Sequence, residues 1–219
     1  MRVVVEARRT EKGIIVLQSA NGETKEYRAI RGGISWPVME ENLPGYYCIL
    51  GEEYSKWTDR GKLILLREHE APDVLTSLAT FFSKLTDDAK LYLCETFYAV
   101  IGELQGEDCS GYAEALQHFM HEKQTAGYLE EAPWADRPDL GLYHIKSWMA
   151  KAQLELPEGG LVREQLKMVE TDKVKQLPQR YNAVNALRFV VCGFEKYKPS
   201  KSSDRNWRAG MPEGSWKSL

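Results

Sequence analysis

Three carboxylates stand where the chain's strands are expected to end. In Pro44–Tyr54, PGYYCILGEEY, a Pro-Gly break opens an apolar run that closes on Glu52 and Glu53. In Ala89–Cys94, AKLYLC, Leu91 and Leu93 alternate as on one strand face, and Glu95 continues that face at its end. Much later, Asn182 and Asn185 lie three residues apart and so share one side of an expected helix. Carboxylate and amide oxygens are hard ligands. Mg²⁺ uses one or two carboxylates with waters and substrate phosphates, and a pair of such ions can activate a water and stabilise the leaving oxygen in phosphodiester cleavage. A Glu at a strand end is equally an ordinary solvated group, and the residues alone leave both readings open.

Other chemistries find less support. His118 and His121 sit one helical turn apart beside Glu114 and Glu122, but an exposed helix side explains them and no third ligand follows. Ser110 lacks a nucleophile-elbow context. Cys109 lies beside Glu107 and Asp108, whose charges disfavour a thiolate.

These residues must be positioned by an α/β framework. Residues 2–30 read as an antiparallel meander, with a turn at Glu11-Lys12-Gly13 and a hairpin at Asn21-Gly22, where both residues tolerate positive φ. Arg31–Pro37, RGGISWP, reads as a break, with Trp36 as a packing anchor. The apolar strand to Glu53 then pairs with Leu63–Leu66 in a second hairpin. A helix starts near Pro72 and carries Leu75, Leu78, Phe82 and Leu85, and AKLYLC follows as a strand. Ser110 opens a helix to about Thr125, Tyr128–Asp139 is a loop, and a helix runs past Ile145 to Leu156. A short helix covers Val162–Val169. The last long helix, from about Gln179 to Tyr197, has a core stripe of Ala183, Leu187, Val190, Val191 and Phe194.

With 219 residues, 43% apolar and 28% charged, the composition is that of a globular protein. The net charge of −3 is uneven: residues 196–219 carry six Lys/Arg against two acids, and the other 195 residues sum to −7. An acidic body lacks the clustered cations of a broad phosphate-binding surface. Four scattered cysteines without a CxxC pair suit free thiols in a reducing compartment. No apolar run nears the ~18 residues of a membrane span, and the early charges of MRVVVEARRTEK do not suit a signal peptide. A cytoplasmic protein is expected.

The order from Pro44 onward (strand hairpin, helix, strand with an acid, helix, connection, final helix) resembles the RNase H-like nuclease fold. The last third is similar to the nuclease domain of phage terminase large subunits, where a segment like Leu154–Met168, LELPEGGLVREQLKM, precedes a helix with a DD-x-x-DAL-type motif. Here RYNAVNALRF, Arg180–Phe189, stands at that place, while GEE (Gly51–Glu53) and CET (Cys94–Thr96) correspond to the family's acidic strand ends.

With the N-terminal antiparallel meander read from the residues, which has no counterpart in the resemblance, the chain is expected to divide into a meander extension (1–43), an RNase H-like domain (44–197) and a basic, flexible tail (198–219). The resemblance implies an α/β fold: an RNase H-like mixed sheet flanked by helices. It further implies a phage-type, Mg²⁺-dependent DNA endonuclease, or a nuclease-derived protein of DNA packaging or processing. Glu53, Glu95, Asn182 and Asn185 would be catalytic, with Glu52, Glu53, Glu95 and Asn182 at the metal. DNA is the implied partner, with a separate ATPase or phage protein, because the sequence has no G-x-x-x-x-G-K-[ST] loop. Tyr181, Asn182 and Asn185 stand where the family carries acids, and neutral amides supply no charge to a metal cluster. The alternative is a non-catalytic interaction protein on a degenerate nuclease fold. It would bind protein or nucleic acid through the meander or the tail, where Trp207 and Trp216 alternate with Arg205, Arg208 and Lys217.

Overall fold

The computed structural model describes residues 4–38, 42–58, 60–73, 78–104, 107–125, 127–172 and 181–196. The expected tail at 198–219 and the helix residue Leu75 lie outside them. Three antiparallel strands open the chain: β1 (Val4–Arg9), β2 (Ile15–Ser19) and β3 (Thr24–Ser35). The hairpin glycines Gly13 and Gly22 have φ of 78° and 82°, as their turns require. β4 (Tyr46–Glu53) and β5 (Leu63–Glu70) extend the meander. Then follow α1 (Leu78–Tyr92), β6 (Thr96–Ala99), the small hairpin β7 (Glu103–Leu104) and β8 (Glu107–Asp108), and α2 (Ser110–Glu122). β9 (Tyr128–Glu131), α3 (Pro138–Ala150), β10 (Leu154–Glu155), α4 (Leu161–Asp172) and α5 (Asn182–Lys196) complete the fold.

β3 is the strand on which the sheet is built. One edge pairs antiparallel with β4, from Tyr27 opposite Glu53 to Ser35 opposite Tyr46. On the other edge its first half pairs with β2 and its second half pairs in parallel with β6, which pairs in parallel with β9. β5 lies beyond β4, and β10 joins β5 in parallel. A three-stranded antiparallel meander continued by two parallel strands beside its first member, with helices on both faces, is the RNase H-like mixed sheet expected. The first 43 residues are therefore not an addition to it, since they supply its central strand.

The expected break at RGGISWP is the second half of β3. Its glycines serve close approach, not a turn: a Cβ on Gly32 would run into the Phe97 ring, and one on Gly33 into the Ala186 carbonyl oxygen. α5 thus lies directly on β3, β4 and β6. α1 covers the other face, where Tyr47 meets Phe81 and Asp88. α3 and α4 pack against α5. Among the described residues no helix is long and apolar enough to cross a membrane.

Three further expectations are corrected. AKLYLC is not a strand: its first four residues are the last turn of α1, whose Leu85, Ala89 and Tyr92 are buried at helical spacing. Leu93, with φ 52°, ends that helix, and the strand begins after Glu95. Tyr128–Glu131, expected in a loop, is the edge strand β9. Helix α3 stops at Ala150, and Leu154–Glu155 pairs with Leu63 and Ile64 of β5.

Candidate functional site

Glu52 and Glu53 end β4 at the end of the sheet where β3 begins. Glu52 Oε1 accepts the Gly61 N–H at 3.4 Å, and the Glu53 N–H donates to the Lys62 carbonyl at 2.8 Å. A Cβ on Gly61 would strike the Glu53 carbonyl, so glycine is what allows this tight hairpin. Glu95 lies just before β6, and Thr96 is level with Arg31 of β3. Its side chain is 53% exposed and ion-pairs with Arg9 at the end of β1. Glu53 and Glu95 therefore share one end of the sheet but lie on opposite sides of β3. Two strand spacings and about three residues separate their Cα atoms, roughly 14 Å.

The asparagines belong elsewhere. Asn182 begins α5 at the other end of the sheet, where β3 stops. Its Nδ2 donates to the Pro44 carbonyl at 3.1 Å and to Glu70 Oε1 at 3.0 Å. Its Oδ1 accepts Gln165 Nε2 at 2.9 Å and the Ala183 N–H at 2.7 Å. Gln165 Oε1 in turn accepts the Ala183 N–H at 3.0 Å. Pro44 lies nine residues before Glu53 along an extended strand, which puts Asn182 on the order of 25 Å from Glu53. Asn185 is 7% exposed, and its Oδ1 accepts Arg188 Nε at 2.9 Å.

The expected set is thus divided: Glu52, Glu53 and Glu95 at one end, Asn182 at the other, and Asn185 beside a guanidinium. A divalent ion needs free oxygen ligands converging on one point. Both amide oxygens are already accepting hydrogen bonds, and Arg188 would repel a cation near Asn185. These residues do not fit the Mg²⁺ that the resemblance implies. Among the described residues, no three of His, Cys, Asp and Glu gather into a group able to hold a metal ion.

Open α/β sheets bind ligands at the carboxyl ends of their parallel strands. Between β3 and β6 that gap is filled. The Trp36 indole N–H donates to the Val100 carbonyl at 2.7 Å, and its ring stacks on Tyr112 of α2, centroids 5.8 Å apart. Beyond the ends of β6 and β9 a cleft of 520 Å³ is lined by Glu103, Glu131, Trp134 and Asp136. One of its acids is already engaged, since Glu131 Oε2 accepts the Ile101 N–H at 2.9 Å. Below it, Arg188 is 2% exposed and donates to the carbonyls of Ala135 at 2.9 Å and Trp134 at 3.3 Å.

Two further polar clusters were not foreseen. Asp88 of α1 accepts the Tyr47 hydroxyl, Arg67 Nε at 2.8 Å and Lys84 Nζ at 3.4 Å. Burial, then the Asp88 contact, pushes the Tyr47 hydroxyl far above its ordinary range. Glu68 accepts the Tyr46 hydroxyl and the Val162 N–H. Alternation within EHE, Glu68–Glu70, was the signal that both carboxylates share a strand face. For Arg188 the signal was a single cation inside the apolar run of α5. All four cysteines are free and buried, and burial drives the Cys48 and Cys94 thiols well up and that of Cys192 to about 12. His118 and Glu122 pair at 3.8 Å on an exposed helix side.

The fold is of the RNase H-like class, and Asn182, Asn185, Arg188 and Glu195 of its last helix are engaged in hydrogen bonds within the fold. No protein-family model and no curated protein matches the sequence. Among solved structures, the chain is similar to the large terminase nuclease from thermophilic phage G20c with bound zinc. The identity is 8%, the match covers 90% of this chain and 95% of that one, and the TM-score is 0.49.

Proposed function

We propose that this chain is a nuclease-derived protein of DNA packaging or processing that acts by binding and not by cleavage. The observation that carries the reading is Asn182, whose amide is fully committed to hydrogen bonds at the opposite end of β4 from Glu53. Its binding segment is the basic stretch 196–219, where aromatic and cationic residues alternate in an otherwise acidic chain.

The test has two arms. Purified full-length protein is incubated with plasmid DNA in Mg²⁺ or Mn²⁺, beside Glu53→Ala and Glu95→Ala. No cleavage is expected from any of them. Metal-dependent cleavage by the wild type overturns the reading, and its loss in both variants would return Glu53 and Glu95 to a catalytic role. In the second arm, DNA retardation by the wild type is compared with an Arg205→Glu, Arg208→Glu variant. Weaker retention with a shallower salt dependence is expected from the variant, and identical retention removes the tail from the proposal.

A further inference from the structure

Arg188 is a cation almost wholly withdrawn from water, and among the described residues no carboxylate pairs with it as a salt bridge. Its guanidinium instead ties three pieces together. Nε holds the Asn185 amide one turn back in α5, and the two terminal nitrogens hold the Trp134 and Ala135 carbonyls in the loop between β9 and α3. Gly141 of α3 admits the stem, because a Cβ there would stand 2.9 Å from Arg188 Cβ. Burial lowers the guanidinium pKa to about 10, with Cys192, Asp136 and Asp139 opposing the shift, so the group stays charged at neutral pH.

The loop it holds contains a residue in a costly backbone conformation. Trp134 has φ 55°, a left-handed conformation that costs a bulky residue of order 1 kcal/mol or more. The indole nevertheless faces outward, stacked on His144 at 5.4 Å. Carbonyl oxygens converging on one buried positive charge, beside an amide oxygen from the last helix, make a cation-centred junction between the helix and the strand ends.

We infer that Arg188 is a resident cation that fastens α5 to the strand-end loop, making this junction independent of divalent metal. The inference deepens the non-cleaving reading above and rests on it. Its test uses the full-length protein with Arg188→Lys, which keeps a charge but loses the forked donors. Hydrogen exchange is read by mass spectrometry over residues 132–141, with β4 as internal reference, in EDTA and in millimolar Mg²⁺ or Mn²⁺. Wild-type exchange and melting temperature are expected to be the same in all three solutions. In Arg188→Lys, amides of 132–141 are expected to exchange about tenfold faster or more while β4 is unchanged. Divalent ions that slow wild-type exchange in this loop, or a variant whose loop exchanges like the wild type, overturn the inference. Arg188→Met is a second variant with the same expected direction. If neither variant folds, the wild-type metal arm still decides. Plasmid cleavage would refute the non-cleaving reading without altering the exchange result, so the two failures are distinguishable.

Discussion

The two ends of the sheet use polar side chains in opposite ways. Where β3 stops, Asn182, Gln165, Glu70 and the Pro44 carbonyl form a closed set, and Trp36 seals the gap toward β6. Where β3 begins, the half-buried Glu52 and Glu53 close a hairpin, and the Glu95 carboxylate pairs with the exposed Arg9. A buried polar group left without its partner costs the full desolvation penalty, whereas an exposed ion pair contributes almost nothing. The first end therefore holds the fold together, and the second is surface on which acids are cheap to keep.

The comparison can be attacked from its strongest point downward. Gly33→Val should prevent α5 from seating on β3, at a cost above about 4 kcal/mol, because the new side chain meets helix backbone that cannot yield. Loss of the cooperative unfolding transition in circular dichroism would register it. Asn182→Leu should cost about 2–3 kcal/mol in urea unfolding, since Gln165 and the Pro44 carbonyl lose their buried partner. A cost near zero would dissolve the distinction between the two ends.

His69 gives a smaller, pH-dependent effect. Burial and the nearby Arg67 lower its pKa in the folded state. The unfolded chain therefore takes up the proton first as pH falls below about 6.5, and stability declines from there toward the lower folded pKa. In His69→Phe that part of the slope should vanish from a series of urea midpoints. Glu95→Ala should be the mildest change, within about 0.5 kcal/mol, because it breaks only an exposed pair. A loss of several kcal/mol would mean that this end is structural too.

Much of the framework could be read from local pattern. The apolar run into Glu53, the partner strand from Leu63 and the stripe of α5 occur as expected, and a hairpin forms at Asn21-Gly22, though with positive φ at Gly22 and not at Asn21. The misreadings share one cause. Gly32-Gly33 is turn-like by composition, yet serves as strand because Phe97 and Ala186 need the space. AKLYLC has strand-like alternation and helix-like spacing at once, and contact with the sheet face chose the helix. YLEE and LE are too short and too polar to announce strands; each becomes one through an open edge beside it.

By itself, the sequence determined an α/β chain with two hairpins, an amphipathic final helix, an acidic body and a basic end, because period, turn chemistry and charge are local properties. Only the tertiary structure decided which residues meet. It separated Glu53 and Glu95 from Asn182, gave Asn182 to Glu70 and Gln165, and set Arg188 against the loop after β9. Convergence depends on strand order and direction, and these depend on which edges and faces remain to be satisfied once the strands have formed.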